Sequence, residues 1–243
     1  MWTWFYRLAS PPHVYRVAAV LCPWFFWLAA IAIAYGAIGG LVFAPPDYQQ
    51  GDAFRIIYVH APSAWLSMFA YTTMATAGAI GLIWRIKMGH AVAAASAPIG
   101  ASFALAALVT GSLWGRPMWG TYWAWDPRLT SELILLFLYV GAMSLRSAFD
   151  DPGRGDRAAA LLAIVGVVNI PIIHYSVVWW NSLHQAATVA KLGKPDMVGS
   201  MLWPLLSMLL GFMLFYGAVL CIRLRGEVLN RERQAAWLRE AIK

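Results

Sequence analysis

WGRPMWGTYWAWDPRLT, residues 114–130, is the stretch that decides how this chain is organised. It places four tryptophans, one tyrosine and one acidic residue between two long apolar segments, with Gly115, Pro117 and Gly120 among them. A connecting loop normally carries small polar residues, whereas large flat rings gain most by covering an apolar surface. The pattern therefore predicts that residues 114–130 form part of a binding site.

The segments on either side are apolar enough to cross a membrane. The chain of 243 residues is 61% hydrophobic and 12% charged, about half the charged share of an ordinary soluble domain. A spanning helix needs about 20 mainly apolar residues, and the candidate spans are residues 17–43, 62–84, 91–113, 127–145, 158–180 and 198–222. The fold class expected is an all-α bundle of six transmembrane helices, one domain over residues 1–243 with a tail at 223–243. Gly111 and Gly115 have the small-x-x-x-small spacing of closely packed membrane helices.

The basic residues predict the orientation of the bundle. Six spans put both termini on one side, and that side holds thirteen of the 18 Lys and Arg residues. The remaining five are Arg55, Arg116, Arg128, Lys191 and Lys194. Because cytoplasmic loops are enriched in Lys and Arg, both termini are expected in the cytoplasm and the Trp-rich loop outside. The net charge of +7 follows from the same asymmetry. The protein is therefore expected to contact membrane lipid, and no nucleic acid partner is expected.

Several activities are excluded by missing motifs. Cys22 and Cys221 are the only cysteines, and no C-x-x-C is present, which removes thiol redox chemistry and covalent haem attachment to this chain. No G-x-x-x-x-G-K-[ST] is present, so ATP hydrolysis would belong to another subunit. Zinc is a weak alternative, because it needs three or four convergent ligands and the outer face offers two histidines and scattered carboxylates.

Two histidines are expected at the depth of the Trp-rich segment. His60 precedes Pro62 by two residues, and proline suits the first turn of a helix, so His60 is expected just at the outer mouth of the second span. His184 follows the fifth span at its outer end. His174 would lie about 15 Å deeper if the helix is regular. It is expected as a buried hydrogen-bonding residue, with a secondary ligand as the less favoured alternative.

Paired imidazoles beside a row of indoles favour haem as the ligand. Imidazole ligates haem iron without adding charge, and a porphyrin is a flat apolar plate with two propionates at one edge. Rings of Trp119, Trp123 and Trp125 would cover the plate, and the possible propionate contacts are Arg55, Arg116 and Arg128. Simpler explanations stay open, since tryptophan collects at membrane interfaces whatever the function. Asp126, which precedes Pro127, would also simply cap the fourth helix.

The run WGTYWAWDPRLT, residues 119–130, resembles the WWD signature of the haem-handling membrane proteins of cytochrome c maturation. With HAPSAW at His60 and IIHYSVVWWNSLHQ around His184, it most closely resembles the C-component (CcmC, haem exporter protein C) family, over nearly the whole chain. Larger WWD relatives, such as the F component and the system II synthases, usually have more spans. They also read closer to WDPKE, where this chain has WDPRL at residues 125–129.

The resemblance implies a function and a set of residue roles. Haem b would be a transient cargo at the periplasmic face of the bacterial inner membrane, with His60 and His184 as axial ligands. The implied haem platform comprises Trp114, Trp119, Gly120, Tyr122, Trp123, Trp125 and Asp126. A vinyl edge would stay open to the haem chaperone CcmE, and the further partners would be CcmD and the ABC transporter subunits CcmA and CcmB. The implied role is transfer and not enzymatic catalysis, with assistance to covalent attachment of haem to the chaperone left open.

Two other functions stay open at this stage. A b-type haem electron-transfer subunit usually places its histidine ligands within the bilayer, where only His174 qualifies. A structural partner of an ABC permease would use the tryptophans as a protein contact. Whether haem binds, and whether it is passed on, separates the three possibilities.

Overall fold

The computed structural model describes residues 9–185, 189, 194 and 196–241, so the predicted outer-side residue Lys191 lies outside the described part. Within it the chain is helical, without a β-strand, and six helices are long and apolar enough to cross a membrane. The predicted all-α class with six spans is therefore confirmed.

Eight α-helices follow one another along the described residues. They are α1 Pro11–Ile38, α2 Ile57–Ile83, α3 Lys87–Trp119, α4 Pro127–Ser147, α5 Pro152–Gly166, α6 Asn169–Trp179, α7 Gly199–Arg231 and α8 Ala236–Ala241. A π-helical turn, Gly39–Phe43, extends α1, and a 3-10 turn, Asp52–Ile56, leads into α2. The fifth span consists of α5 and α6 together, with a break at residues 167–168.

The helix α2 lies at the centre of the bundle and packs against α3, α5 and α7, whereas α1 packs mainly on α7. Large buried side chains fill the core between α2, α4 and α5, among them Tyr71, Leu135 and Tyr139. This core fixes the relative positions of the ends of α2, α3 and α4, where the predicted site residues lie.

The end of α3 differs from the prediction that residues 114–130 form a loop. The helix continues to Trp119, so Trp114 and Trp119 are helical and only residues 120–126 connect α3 to α4. Gly120 ends the helix with a φ of 76°, a left-handed conformation that glycine adopts without strain, and its N–H donates to the carbonyl oxygen of Arg116. The number of tryptophans led to the prediction of a loop over residues 114–130. The end of the helix is instead marked by Gly120.

The start of α2 also differs from the prediction. The helix begins at Ile57, so Pro62 lies inside it and His60 occupies its first turn, not a position ahead of it. The preceding 3-10 turn already has helical backbone angles, which lets α2 begin one turn earlier than the proline indicates. His60 is therefore carried by a helix.

The opposite end of the bundle is joined by ion pairs. Arg146 on α4 and Arg231 on α7 both contact Asp156 on α5, at 2.8 and 2.6 Å, and Arg146 also contacts Glu227 at 2.9 Å. The predicted tail at 223–243 therefore begins inside α7, because residues 223–231 continue that helix and pair with its neighbours.

Candidate functional site

A cavity of about 590 Å³ opens at the end of the bundle where α2 begins and α3 ends. Segments of α2, α3, α4, α6 and α7 form its wall, together with residues 49–50 and 183–185. Its volume falls within the range of about 300–1,000 Å³ that is usual for cofactor and small-molecule sites. Both His60 and His184 line it, so the fold brings the two predicted ligands to one cavity from distant parts of the chain.

The imidazole of His60 is held against α3. Its Nδ1 lies 3.0 Å from the carbonyl oxygen of Ala107 and 3.1 Å from the hydroxyl oxygen of Thr110. A carbonyl oxygen can only accept a hydrogen bond, so Nδ1 carries the hydrogen and Nε2 keeps a free lone pair. The space for this ring comes from Gly111, where a Cβ atom would stand 2.9 Å from the His60 Cε1. The glycine spacing that predicted helix packing thus also makes room for the candidate ligand.

The imidazole of His184 is held by a side chain. It lies on the segment after α6, where its Nδ1 is 3.1 Å from Oδ1 of Asp126 and its backbone N–H donates to the Ser182 hydroxyl at 3.1 Å. An ionised carboxylate only accepts, so Nδ1 again carries the hydrogen and Nε2 is free. Burial lowers the pKa of His184 below its ordinary value, although Asp126 acts in the opposite direction. The neutral imidazole, which is the form that binds metals, is therefore favoured.

Asp126 connects the start of α4 to the segment that carries His184. One carboxyl oxygen accepts from the N–H of Arg128 at 2.9 Å, which confirms the predicted helix cap. The other accepts from the Ser182 hydroxyl at 2.8 Å and the Leu183 N–H at 2.7 Å. Burial raises the pKa of Asp126, but these hydrogen bonds outweigh burial and hold the pKa below its ordinary value. Sequence reasoning found the cap and missed this second connection, because nothing in the local pattern pairs residues 126 and 182.

Two of the four tryptophans of the Trp-rich segment line the cavity, and each lies beside one histidine. The Trp114 ring is 5.6 Å from the His60 ring, and the Trp119 ring is 4.9 Å from the His184 ring, centroid to centroid. Both indoles come from the last turns of α3, so one helix supplies an aromatic neighbour to each imidazole.

The other members of the predicted platform do not line the cavity, although Asp126 contacts its lining residue His184. Trp123 and Trp125 contact each other edge to face at 5.5 Å, and Trp125 is 77% exposed. Tyr122 is also exposed, and Arg116 lies over its ring at 5.5 Å. Gly120, Tyr122 and Trp125 are exposed and Trp123 is half-buried. The contact of these residues with haem stays a prediction.

The three candidate arginines occupy different surroundings. Arg128 lines the cavity. Arg55 pairs with Asp52 at 2.9 Å, and Arg116 donates to the carbonyl oxygen of Gly120. Of the three, the structure brings Arg128 to the site.

Arg128 also fixes α6 against α4. Its guanidinium donates to the carbonyl oxygen of His174 at 3.0 Å and to the Ser176 hydroxyl at 3.3 Å. The His174 side chain itself is exposed and faces the cavity. The expectation that His174 is buried is therefore wrong, because the fifth span is broken and α6 lies at the margin of the bundle.

Two glutamines that the sequence analysis did not single out close one side of the cavity. The indole N–H of Trp114 donates to the Gln50 side-chain oxygen at 2.9 Å, and the Gln50 amide donates to the Gln185 oxygen at 3.2 Å. The contacts join three segments of chain. Isolated amides in loops carry no pattern by which a sequence reveals them.

The fold and the cavity together define a multi-pass helical membrane protein whose site presents two imidazole lone pairs. A profile of the family described as Heme exporter protein C matches residues 4–239. Proteins named Heme exporter protein C from Haemophilus influenzae and Escherichia coli are 48% identical to this chain over 98% and 100% of it, and 97% and 98% of their own lengths. A Marchantia polymorpha protein named as a putative cytochrome c biosynthesis ccmC-like mitochondrial protein is 38% identical over 89% of this chain and 90% of its own. The chain belongs to the Heme exporter protein C family, which confirms the resemblance in its sequence.

Proposed function

We propose that this protein holds haem b as a transient cargo, with the iron bound by Nε2 of His60 and of His184, and passes it to the haem chaperone CcmE. Membership of the Heme exporter protein C family supports a role in haem handling for cytochrome c biogenesis. The observation that carries the proposal is the hydrogen bond at each Nδ1, to a backbone carbonyl for His60 and to a carboxylate for His184. Metal-ligating histidines typically make this second hydrogen bond, which fixes the tautomer and aims the other nitrogen.

The surroundings of the two histidines fit a porphyrin better than a bare metal ion. No group of three or more His, Cys, Asp or Glu side chains converges within the described residues. A porphyrin supplies four nitrogen ligands itself and needs only axial ones from the protein. The indoles of Trp114 and Trp119 add apolar surface beside the axial positions.

The position of the cavity supports transfer. It lies at the end of the bundle and is bordered by exposed residues such as Gln49, Leu183 and Gln185, so a partner outside the bilayer can approach. The asymmetry of the basic residues supports a periplasmic site in the bacterial inner membrane, with both termini cytoplasmic. The partners would be CcmE, CcmD and the ABC subunits CcmA and CcmB, and this chain would contribute ligation and orientation and no catalytic residue.

Co-expression with CcmE tests the function. The protein is purified with bound haem from cells with and without CcmE, as wild type and as His60→Ala and His184→Ala, and haem covalently bound to CcmE is measured by haem staining. Haem lost or altered in both variants, together with unloaded CcmE, supports the proposal. A wild-type protein without haem would instead indicate a structural partner of a permease. Haem that survives cycles of reduction and is never transferred would indicate an electron-transfer subunit.

A further inference from the structure

Glu132 is a buried carboxyl group at the inner end of the cavity. It is 6% exposed and lies one helical turn beyond Arg128 on α4. Among the described residues that line the cavity, Arg128 and Glu132 are the two with a formal charge. An ionisable group inside a membrane-spanning helix is costly, and such groups usually mark a functional site.

One oxygen of Glu132 has a protein partner and the other does not. The Ser67 hydroxyl donates to Oε1 at 2.7 Å, and the same hydroxyl lies 2.7 Å from the carbonyl oxygen of Ala64. The second carboxyl oxygen of Glu132 has no hydrogen-bond partner in the part of the chain that the structure describes, although its residue lines the cavity. Trp65, Met68 and Leu209 line the cavity too, so much of its inner surface is apolar.

We propose that Glu132 binds a haem propionate, with Arg128 as its counter-charge one turn nearer the cavity mouth. The inference deepens the proposed function and rests on it. Two carboxyl groups that share one apolar site retain one proton between them, because they cannot both ionise at close range. The shared proton forms the hydrogen bond, one negative charge remains on the pair, and the guanidinium of Arg128 neutralises it.

The proposal fixes the orientation of the cargo. The propionates occupy one edge of the porphyrin, so binding them at Arg128 and Glu132 directs that edge towards α4 and the interior. The opposite edge then points away from α4, towards the part of the cavity that a partner can reach. Glu132 would thus decide which edge of the haem is presented.

A thermodynamic cycle in which Glu132, the haem propionates or both are changed tests the contact. The probes are haem and haem dimethyl ester, whose propionates are esterified and cannot share a proton. Affinities of both are measured by absorption titration of the purified full-length wild type, Glu132→Leu, Glu132→Gln and, as a control in the same cavity wall, Leu209→Ala. The coupling between Glu132 and the propionate is the loss of affinity that a Glu132 substitution causes for haem but not for the ester.

Glu132→Leu is expected to weaken haem binding by roughly tenfold or more, as for a hydrogen bond to a charged group, and to leave the ester within about twofold. Glu132→Gln keeps a donor and should stay within about threefold of wild type for haem. Leu209→Ala should affect both probes alike. Glu132→Met, with a side chain of similar length, repeats the test if the leucine variant does not fold.

Equal losses for haem and its ester in Glu132→Leu would overturn the contact, and so would tighter haem binding in Glu132→Gln, which would mean that an ionised Glu132 repels the propionate. Neither result would bear on the proposed axial ligation by His60 and His184. A wild-type protein that binds neither probe would overturn the proposed function itself, and the two failures are therefore distinguishable.

Discussion

The two candidate axial ligands are supported in different ways. His60 lies in the first turn of α2 and its Nδ1 donates to a backbone carbonyl of the neighbouring helix α3. His184 lies on a segment without helical structure, and Asp126 holds both its ring and the two residues before it. The first support is built from packed helices, whereas the second is built from side-chain contacts, most of them made by one carboxylate.

On the proposed function, the two supports suit different steps, one the retention of haem and the other its release. A ligand on a packed helix keeps its position whether haem is present or not. A ligand on a non-helical segment that is held by side-chain contacts can move once the main contact is broken. On the proposed function, His60 holds the haem and His184 is the ligand that a partner displaces.

Removing the support of each histidine should have unequal effects. Asp126→Ala deletes the hydrogen bond to His184 and releases residues 182–183, so haem affinity should fall by about 10- to 100-fold, as for other outer-shell partners of metal ligands. Thr110→Val removes only a second contact of His60 Nδ1 and leaves the Ala107 carbonyl, so the loss should stay below about tenfold. Absorption titration with haem measures both. Similar losses in the two variants would contradict the asymmetry.

Haem binding should be sensitive to the space that Gly111 leaves for the His60 ring. In Gly111→Ala the new Cβ would stand 2.9 Å from the His60 Cε1 and displace the ring, so we expect a roughly tenfold loss of haem affinity. Gly226→Ala is the matched control, because a Cβ at that position on α7 meets nothing within 4 Å. Haem affinity unchanged in Gly111→Ala would show that the ring position in the structure is not the binding position.

The tryptophans should separate into two groups. Trp119→Ala removes the ring beside His184 and should weaken haem binding by roughly two- to tenfold, the size of an aromatic pair contribution. Trp125→Ala alters an exposed ring outside the cavity and should cost less haem affinity than Trp119→Ala. The same titration tests both variants, and a larger loss in Trp125→Ala would place the haem outside the cavity.

Haem should be released at a lower pH than a histidine with an ordinary pKa would allow. Burial holds the pKa of His184 below its ordinary value, about 6.5, and a protonated imidazole cannot bind iron. Haem should therefore persist as the pH falls through 6.5 and leave below the pKa of His184. Absorption spectra along a pH titration give the midpoint of release, and haem lost already above pH 6.5 would contradict this relation.

The sequence was sufficient for the class of fold, and it singled out the two histidines that the fold brings to one cavity. Six apolar segments and the capping Asp126 were readable because hydropathy and helix capping are local properties. The boundaries near the site were not, because Trp114 and Trp119 belong to a helix that ends only at Gly120. Local composition predicted that all four tryptophans form one platform. The packing of the helices places Trp114 and Trp119 in the cavity wall and leaves Trp123 and Trp125 outside it.

Connections between distant segments explain most of what the sequence did not reveal. The bond between Asp126 and Ser182 and the chain from Trp114 through Gln50 to Gln185 join residues with no common motif. Glu132 was visible as a carboxylate inside a span, but its place at the inner end of the cavity follows from how α4 packs beside α2 and its Ser67.

Ligand rescue tests directly whether the two imidazoles bind the same iron. His60→Gly and His184→Gly are purified with haem, and absorption and electron paramagnetic resonance spectra are recorded before and after addition of free imidazole. We expect a low-spin, six-coordinate spectrum in the wild type, its loss in each variant and its return with imidazole in both. A low-spin spectrum that persists in either glycine variant without imidazole would contradict axial ligation by His60 and His184.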